Sequence, residues 1–153
     1  MIMEAAMGGQ LLDYLRDHKV FPETVAREIV LQVVQAMLYC HSRGVIHRDL
    51  KLENVIFKNK GEKNRDEFFI KVIDFGIAGV EQDKVDSGTL AYMSPECLDG
   101  DRKTSAAIDV WAIGIMFYTL VYGELPFYGN TERELIKKII NDPIKFNNKY
   151  PIS

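Results

Sequence analysis

The chain has 153 residues, of which 47% are hydrophobic and 27% charged, which predicts one soluble globular domain and excludes intrinsic disorder. The net charge of −3 argues against an electrostatic nucleic-acid binder. Cys40 and Cys97 lack the spacing of a metal site, and free thiols are typical of the cytosol or nucleus.

Membrane insertion is not expected either. The longest uncharged apolar stretch, residues 110–123, is shorter than the roughly 20 residues that a membrane span needs. Residues 1–3 lack the basic start and long apolar run of a signal peptide. The sequence therefore predicts an intracellular, soluble protein with no membrane or nucleic-acid partner.

The first part of the chain predicts helices. A short helix is predicted over residues 10–18, and a long one begins at Pro22. In the long helix, hydrophobic residues recur every four positions, at Val25, Ile29, Val33 and Met37. We expect this helix to end at Gly44, because glycine readily adopts the left-handed conformation that follows many helices.

The middle of the chain changes character. Residues 45–46, 55–57 and 69–73 are rich in β-branched and aromatic side chains and predict strands. The charged segment at residues 58–67 predicts an exposed hairpin loop. Residues 76–94 show no steady period and predict an ordered loop.

Helical patterns return at residues 106–122 and 131–141, with Pro126 and Pro143 as breakers. The uncharged run within the first of these predicts a core helix that is buried on all sides. Together, these elements predict a mainly α fold with a small β element.

One polar segment carries the chemistry. Residues 47–54, His-Arg-Asp-Leu-Lys-Leu-Glu-Asn, supply a carboxylate, an ammonium group and an amide from Asp49, Lys51 and Asn54. Phosphoryl transfer uses such a set to orient the attacking hydroxyl, offset charge on the phosphoryl group and help hold Mg²⁺. Asp74 follows a predicted strand and precedes Phe75 and Gly76, a context that suits a metal ligand.

This segment resembles the H-R-D-L-x-x-x-N catalytic loop of protein kinases, and residues 74–76 resemble their D-F-G motif. Residues 94–96, Ser-Pro-Glu, resemble the A-P-E motif, and residues 109–114, Asp-Val-Trp-Ala-Ile-Gly, the D-x-W-x-x-G helix. Residues 3–9 resemble the hinge and the start of the next helix. Lys51 and Thr89 match the serine/threonine type, most like the calcium/calmodulin-dependent and AMP-activated group.

The resemblance covers the whole chain and implies the large, C-terminal lobe of a kinase. Residues 1–153 would form a partial catalytic domain, from the hinge through the helix after the central helix. The small lobe and the final helices would be absent from these residues. We expect the small lobe upstream in a longer chain, or supplied by another chain.

The resemblance also assigns roles in catalysis. Asp49 would be the catalytic base, Lys51 would contact the γ-phosphate of ATP, and Asn54 and Asp74 would hold Mg²⁺. The residues that would meet the adenine ring are Glu4 and Ala6, through their backbones, and Ile56 as the floor of the pocket. The residues that would position the protein substrate are Thr89 and Glu53. Gln10 stands where many kinases have a second acidic substrate contact.

Other residues would have structural roles. His47 and Phe75 would stack in the packed column that joins the two lobes, and Asp109 would hold the backbone of the catalytic loop. The remaining structural positions are Arg48, Gly76 and Glu96. Arg48 has the position of an arginine that gathers an activation-loop phosphate in many kinases. Glu96 would lack its usual arginine partner.

The leading hypothesis is a catalytic region that transfers the γ-phosphate of ATP to serine and threonine hydroxyls of proteins. Residues 1–153 alone are expected to be inactive, because they contain no glycine-rich phosphate loop and no strand lysine paired with a helix glutamate. The alternative is a non-catalytic, kinase-derived module that binds partners. Phosphoryl transfer to small molecules is a third hypothesis, disfavoured because residues 88–96 resemble a platform for protein substrates.

Overall fold

The computed structural model describes residues 6–58, 68–80, 88–99 and 105–146. The helices and strands are, in chain order, α1 (Leu11–His18), α2 (Glu23–His41), β1 (Val55–Phe57), β2 (Ile70–Val72), α3 (Pro95–Leu98), α4 (Ala106–Tyr122) and α5 (Glu132–Asn141). Single 3-10 turns cover Leu52–Asn54 and Leu90–Tyr92. The prediction of a mainly α fold with a small β element is confirmed.

Helices α2 and α4 form the centre of the core. The stripe predicted for α2 is largely the face that it buries, with Ile29, Val33 and Met37 almost fully inaccessible. Helix α2 ends at His41, and the chain reaches Gly44 through a turn in which that glycine has φ 72°. Among the described residues, no helix is both long and apolar enough to cross a bilayer.

The prediction that α4 is buried on all sides is wrong along one stripe. Val110 is 61% exposed, and Gly114, one helical turn later, is exposed as well. Most of the helix is nonetheless buried, including Ile115, Met116 and Leu120. The apolar run therefore predicts a helix but does not show which side of it is exposed. The α2 helix and the Leu90–Tyr92 turn cover other sides of α4.

Strands β1 and β2 pair antiparallel, with Ile56 opposite Lys71. Gln32 of α2 fastens this sheet to the helices: its Nε2 donates to the Phe68 carbonyl at 2.6 Å, and its Oε1 accepts from the Ile70 amide at 3.1 Å. Because Gln32 binds the first amide of β2 and a carbonyl just before that strand, the small sheet is held against α2. Most of the predicted hairpin loop, residues 59–67, lies outside the described residues.

The strand predicted at residues 45–46 is wrong. Ile46 makes a single bridge, in which it exchanges two backbone hydrogen bonds with Gly79 at 2.8 and 3.0 Å. Left-handed residues lie on both sides, Gly44 and Arg48, each with φ 72°. The backbone turns at both positions, so no room remains for a second pair of the ladder. Residues 81–87 of the predicted loop at 76–94 lie outside the described residues, and the described part of that loop contains the 3-10 turn at Leu90–Tyr92.

Gly123 ends α4 in the left-handed conformation, with φ 75°, and a Cβ atom there would meet the Lys19 carbonyl oxygen at 2.5 Å. We expect Gly123→Ala to lower the free energy of unfolding by at least about 1–2 kcal/mol. The control is Gly114→Ala in the same helix, where a Cβ meets nothing within 4 Å. That change should be neutral or stabilise by up to about 1 kcal/mol. Urea unfolding followed by circular dichroism gives both values, and equal effects would contradict the prediction.

Candidate active site

Asp109 anchors the start of the segment that contains Asp49. It lies in the first turn of α4, is 1% exposed, and accepts hydrogen bonds from the backbone amides of His47 at 2.9 Å and Arg48 at 3.0 Å. One carboxylate oxygen serves each amide. Arg48 has φ 72°, a conformation that costs a non-glycine residue roughly 1–2 kcal/mol, and the bond to Asp109 helps to hold it.

Asp49, Lys51 and Thr89 form a closed hydrogen-bonded group. Lys51 Nζ donates to Asp49 Oδ2 at 2.7 Å and to Thr89 Oγ1 at 2.8 Å. Thr89 in turn donates its hydroxyl to Asp49 Oδ1 at 3.0 Å and its amide to the same oxygen at 3.1 Å. A carboxylate, an ammonium group and a hydroxyl that are separated by up to 40 positions in the chain are therefore in direct contact.

The ionisation of Asp49 follows from these contacts. Burial alone raises the pKa of its carboxyl group, but hydrogen bonds from Lys51 and Thr89 outweigh burial, and the pKa lies below its ordinary value. Asp49 is therefore an anion at neutral pH. Because the pKa is depressed in the folded state, ionisation stabilises the fold above the unfolded-state pKa. That stabilisation is lost as the pH falls through the folded value.

Lys51→Met keeps the apolar stem of the side chain and removes the ammonium group. We expect it to raise the pKa of Asp49, because the hydrogen bond and the positive charge of Lys51 no longer oppose the effect of burial. Carbon-13 NMR titration of the Asp49 carboxyl carbon measures this shift. The control is Lys138→Met, which removes an ammonium group paired with Glu134 at the surface. An Asp49 titration that is the same in both variants would contradict the prediction.

Asn54 and Asp74 are placed side by side through the backbone of Ile73. The Ile73 amide donates to the Asn54 carbonyl at 2.9 Å, and the Ile73 carbonyl accepts from His47 Nε2 at 3.0 Å. Asp74 follows directly and has φ 64°, a strained conformation for a residue other than glycine. Asn54 uses its amide nitrogen to bind the Asp49 carbonyl at 2.9 Å. A metal would bind the other atom of that amide, Oδ1.

His47 and Phe75 lie in contact, with ring centroids 4.6 Å apart. His47 is fully buried, and its two ring nitrogens have distinct partners: Nε2 donates to the Ile73 carbonyl, and Nδ1 accepts from the Asp49 amide at 3.3 Å. These bonds require the tautomer with hydrogen on Nε2. Phe75 is 42% exposed and presents apolar surface beside the site.

Gly76 allows the chain to turn after Asp74. Its amide donates to Asp74 Oδ1 at 3.2 Å, and a Cβ atom on Gly76 would come within 2.9 Å of that oxygen. The Arg48 guanidinium donates to the Val80 carbonyl at 2.8 Å. Glu96 is exposed in the first turn of α3, and among the described residues no ion pair involves it.

The proposed nucleotide residues are only partly described. Glu4 lies outside the described residues, whereas Ala6 and Ile56 are both half-buried. The segment that follows Ala6 runs along β1: Gly8 donates to the Phe57 carbonyl at 3.0 Å, and Gln10 forms a bridge with Ile56. Ala6 and Ile56 are therefore on neighbouring segments.

Sequence reasoning missed His41. The imidazole Nε2 of His41 contacts Asp109 Oδ2 at 2.7 Å, 68 positions along the chain. No local sequence pattern predicts that a histidine at the end of a helix makes such a contact. Asp109 itself was identified only through the family motif around it.

The comparisons with known proteins agree with this geometry. Residues 1–152 match the family model of the protein kinase domain. The chain is 40% identical over 143 residues to human NUAK family SNF1-like kinase 1, and the match covers 91% of this chain and 21% of that protein. It is 35% identical over 155 residues to serine/threonine-protein kinase RAD53 of Saccharomyces cerevisiae, covering 91% and 18%.

A third relative is calcium-dependent protein kinase 6 of Plasmodium berghei, 35% identical over 146 residues, with 92% of this chain and 9% of that protein covered. The chain thus spans about a fifth, or less, of the length of these relatives. The match extends over almost the whole chain and includes every residue of the Asp49 group. This chain therefore belongs to the protein kinase family, among relatives that include serine/threonine kinases.

Proposed function

We propose that residues 1–153 are the large-lobe part of a serine/threonine protein kinase catalytic domain. The complete domain would transfer the γ-phosphate of ATP to serine and threonine hydroxyls of proteins. The observation that carries this proposal is the contact of Asp49, Lys51 and Thr89, with Asn54 and Asp74 beside it. The free thiols of Cys40 and Cys97 fit a protein of the cytosol or nucleus.

Asp49 is suited to orient the hydroxyl that attacks. It is ionised, and its backbone is fixed on both sides, by Asp109 through the preceding residue and by Asn54 Nδ2 at its own carbonyl. Lys51 Nζ donates to Asp49 Oδ2. If Lys51 turned to the γ-phosphate of ATP, Oδ2 would become accessible to a substrate hydroxyl. This exchange of partners by Lys51 would couple phosphate binding to the ability of Asp49 to accept a substrate hydroxyl.

Asn54 and Asp74 fit Mg²⁺ by their chemistry. Mg²⁺ prefers oxygen ligands and is held in kinases by one or two protein groups together with the phosphates of the nucleotide. Within the described part of the chain, no cluster of three or more histidine, cysteine, aspartate or glutamate side chains forms a self-contained metal site. Bound Mg²⁺ would neutralise charge on the phosphates.

The nucleotide would lie between the segment at Ala6 and strand β1. Ile56 faces the side of β1 opposite to its buried neighbours, Val55 and Phe57, and is therefore available to the adenine ring. The backbones of Glu4 and Ala6 would donate and accept the adenine hydrogen bonds. This pocket would need a second wall, which the small lobe of the kinase family provides.

Glu53 and Thr89 would position the protein substrate. One oxygen of Glu53, Oε2, is buried and has no hydrogen-bond partner among the described residues. Burial raises the pKa of the neighbouring Tyr92, and the Glu53 carboxylate raises it further. A buried carboxylate oxygen without a donor is costly, and a turn of the Glu53 side chain toward a basic group of the substrate would supply one.

The alternative proposal is a partner-binding module without catalysis. It is favoured by the apolar surface next to the site, where Phe75 is 42% exposed. In a complete kinase domain, a small lobe would cover this surface. In a binding module, a partner protein would cover it instead. The two proposals differ in whether the protein transfers phosphate once this surface is covered.

The test is transfer of radioactive phosphate from γ-labelled ATP to a generic protein substrate in the presence of Mg²⁺. We expect the protein that carries residues 1–153 together with a kinase small lobe to label serine and threonine. Asp74→Ala should abolish the labelling, and residues 1–153 alone should show none. Efficient labelling by residues 1–153 alone would contradict the large-lobe proposal. No labelling by the longer protein would favour the binding module.

A further inference from the structure

The Asp109 carboxylate has a third hydrogen-bond donor besides two backbone amides of residues 47–54, which we call the catalytic segment. His41 Nε2 lies 2.7 Å from Asp109 Oδ2, closer than the amides of His47 and Arg48 at 2.9 and 3.0 Å. His41 is the last residue of α2, and its side chain is only 17% exposed. The contact joins α2, α4 and the catalytic segment at one point.

A buried carboxylate needs such compensation. Removal of a charge from water is costly unless hydrogen bonds or an opposite charge replace the lost solvation. Among the described residues, no lysine or arginine forms an ion pair with Asp109, so two amides and an imidazole serve it. Of these three donors, only His41 donates from a side chain, and it belongs to α2 rather than to the catalytic segment.

The His41 contact also fixes the orientation of the Asp109 carboxylate. His41 and the His47 amide share Oδ2, which leaves Oδ1 for the Arg48 amide. Arg48 needs that bond, because its left-handed backbone places the next residue, Asp49. Without His41, the carboxylate could rotate about its own bond and weaken its hold on Arg48.

We propose that His41 is a positioning residue, which orients Asp109 so that Asp109 fixes the backbone immediately before Asp49. The catalytic meaning of this inference rests on the proposed function. Asp109 can only accept, so Nε2 of His41 carries the hydrogen. Both the neutral tautomer with hydrogen on Nε2 and the protonated ring donate in this way, so the role does not require a charged histidine.

The test is amide hydrogen exchange measured by NMR on the nucleotide-free protein that contains residues 1–153. His41→Leu should speed exchange at the His47 and Arg48 amides about tenfold, the factor that matches the loss of 1.4 kcal/mol of hydrogen bonding. The amide of Val33, in the middle of α2, should change by much less. Gln at position 41 keeps an N–H group near the place of Nε2, so His41→Gln should restore most of the protection.

The matched control is His18→Leu, because His18 is also the last residue of its helix but bonds a carbonyl of that helix, at Tyr14. It should leave the His47 and Arg48 amides unchanged. If His41→Leu does not fold, His41→Gln is compared with His41→Asn, whose shorter amide does not reach Asp109 and should exchange faster. Equal acceleration at Val33, or no rescue by glutamine, would overturn the proposal.

This experiment does not use ATP, so it remains informative if the protein proves to have no kinase activity. Selective acceleration, together with no transferase activity in the protein that carries a small lobe, would refute the proposed function and retain the coupling of His41 to the catalytic segment. In a protein that does transfer phosphate, His41→Leu should lower kcat about tenfold and leave the KM for ATP unchanged. A change confined to KM would refute the positioning role.

Discussion

Asp49→Asn is expected to lower kcat about 10²- to 10⁴-fold in a form of the protein that transfers phosphate, which is the range for loss of a positioned acid–base group. Asparagine keeps the size of the side chain but replaces one oxygen acceptor with a donor. That change removes the anion that would orient the hydroxyl. The KM for ATP should change little, because Asp49 contacts Lys51 and Thr89 rather than Ile56, the proposed floor of the adenine pocket.

Steady-state phosphate transfer to a protein substrate measures this effect. The matched control is Asp13→Asn on α1, which removes an exposed carboxylate that is 3.4 Å from Arg16. The control should retain full activity. If Asp49→Asn kept more than a tenth of the activity, Asp49 would not have the assigned role, and Lys51 or Thr89 would have to orient the substrate instead.

Asp109→Ala is expected to lower the free energy of unfolding by about 3–5 kcal/mol, the range for removal of one partner from a buried charged contact. The variant would leave the amides of His47 and Arg48 and the imidazole of His41 without their acceptor. Each such buried group costs about 1–3 kcal/mol when it is unsatisfied. Arg48 would also lose the bond that helps to hold its left-handed backbone.

Denaturant unfolding with two probes, circular dichroism and tryptophan fluorescence, measures this loss, because Trp111 lies two residues from Asp109. Asp109→Asn retains one acceptor oxygen and should give an intermediate loss. Asp13→Ala is the surface control and should change stability by less than about 0.5 kcal/mol. A loss below about 1 kcal/mol for Asp109→Ala would mean that the catalytic segment does not depend on this anchor.

Much of the helical structure could be predicted locally. The four-residue spacing from Val25 to Met37 identified the buried face of α2, and the uncharged run at residues 110–123 identified α4. Both predictions succeed because burial of one helix face requires a period that the sequence displays directly. The position of Asp49 within its motif was equally visible, since all eight residues of that segment are contiguous.

Local patterns could not show which surfaces stay open. The run that forms α4 is apolar at nearly every position, so nothing in it distinguishes Val110, which is exposed, from Ile115, which is buried. Likewise, residues 45–46 have strand-forming side chains, but left-handed turns at Gly44 and Arg48 restrict Ile46 to one bridge. The exposure of Val110 depends on which sides of α4 other elements cover, and the single bridge of Ile46 depends on the turns beside it.

The residue types needed for phosphoryl transfer and the helices that carry the core are thus readable from the chain. Their assembly is not, because the site depends on bonds between distant positions: His41 to Asp109, Thr89 to Asp49, and His47 to Ile73. No local periodicity encodes a hydrogen bond across 26 to 68 positions. The packing of α2 against α4 brings His41 to Asp109, a contact that no pattern in the sequence around His41 predicts.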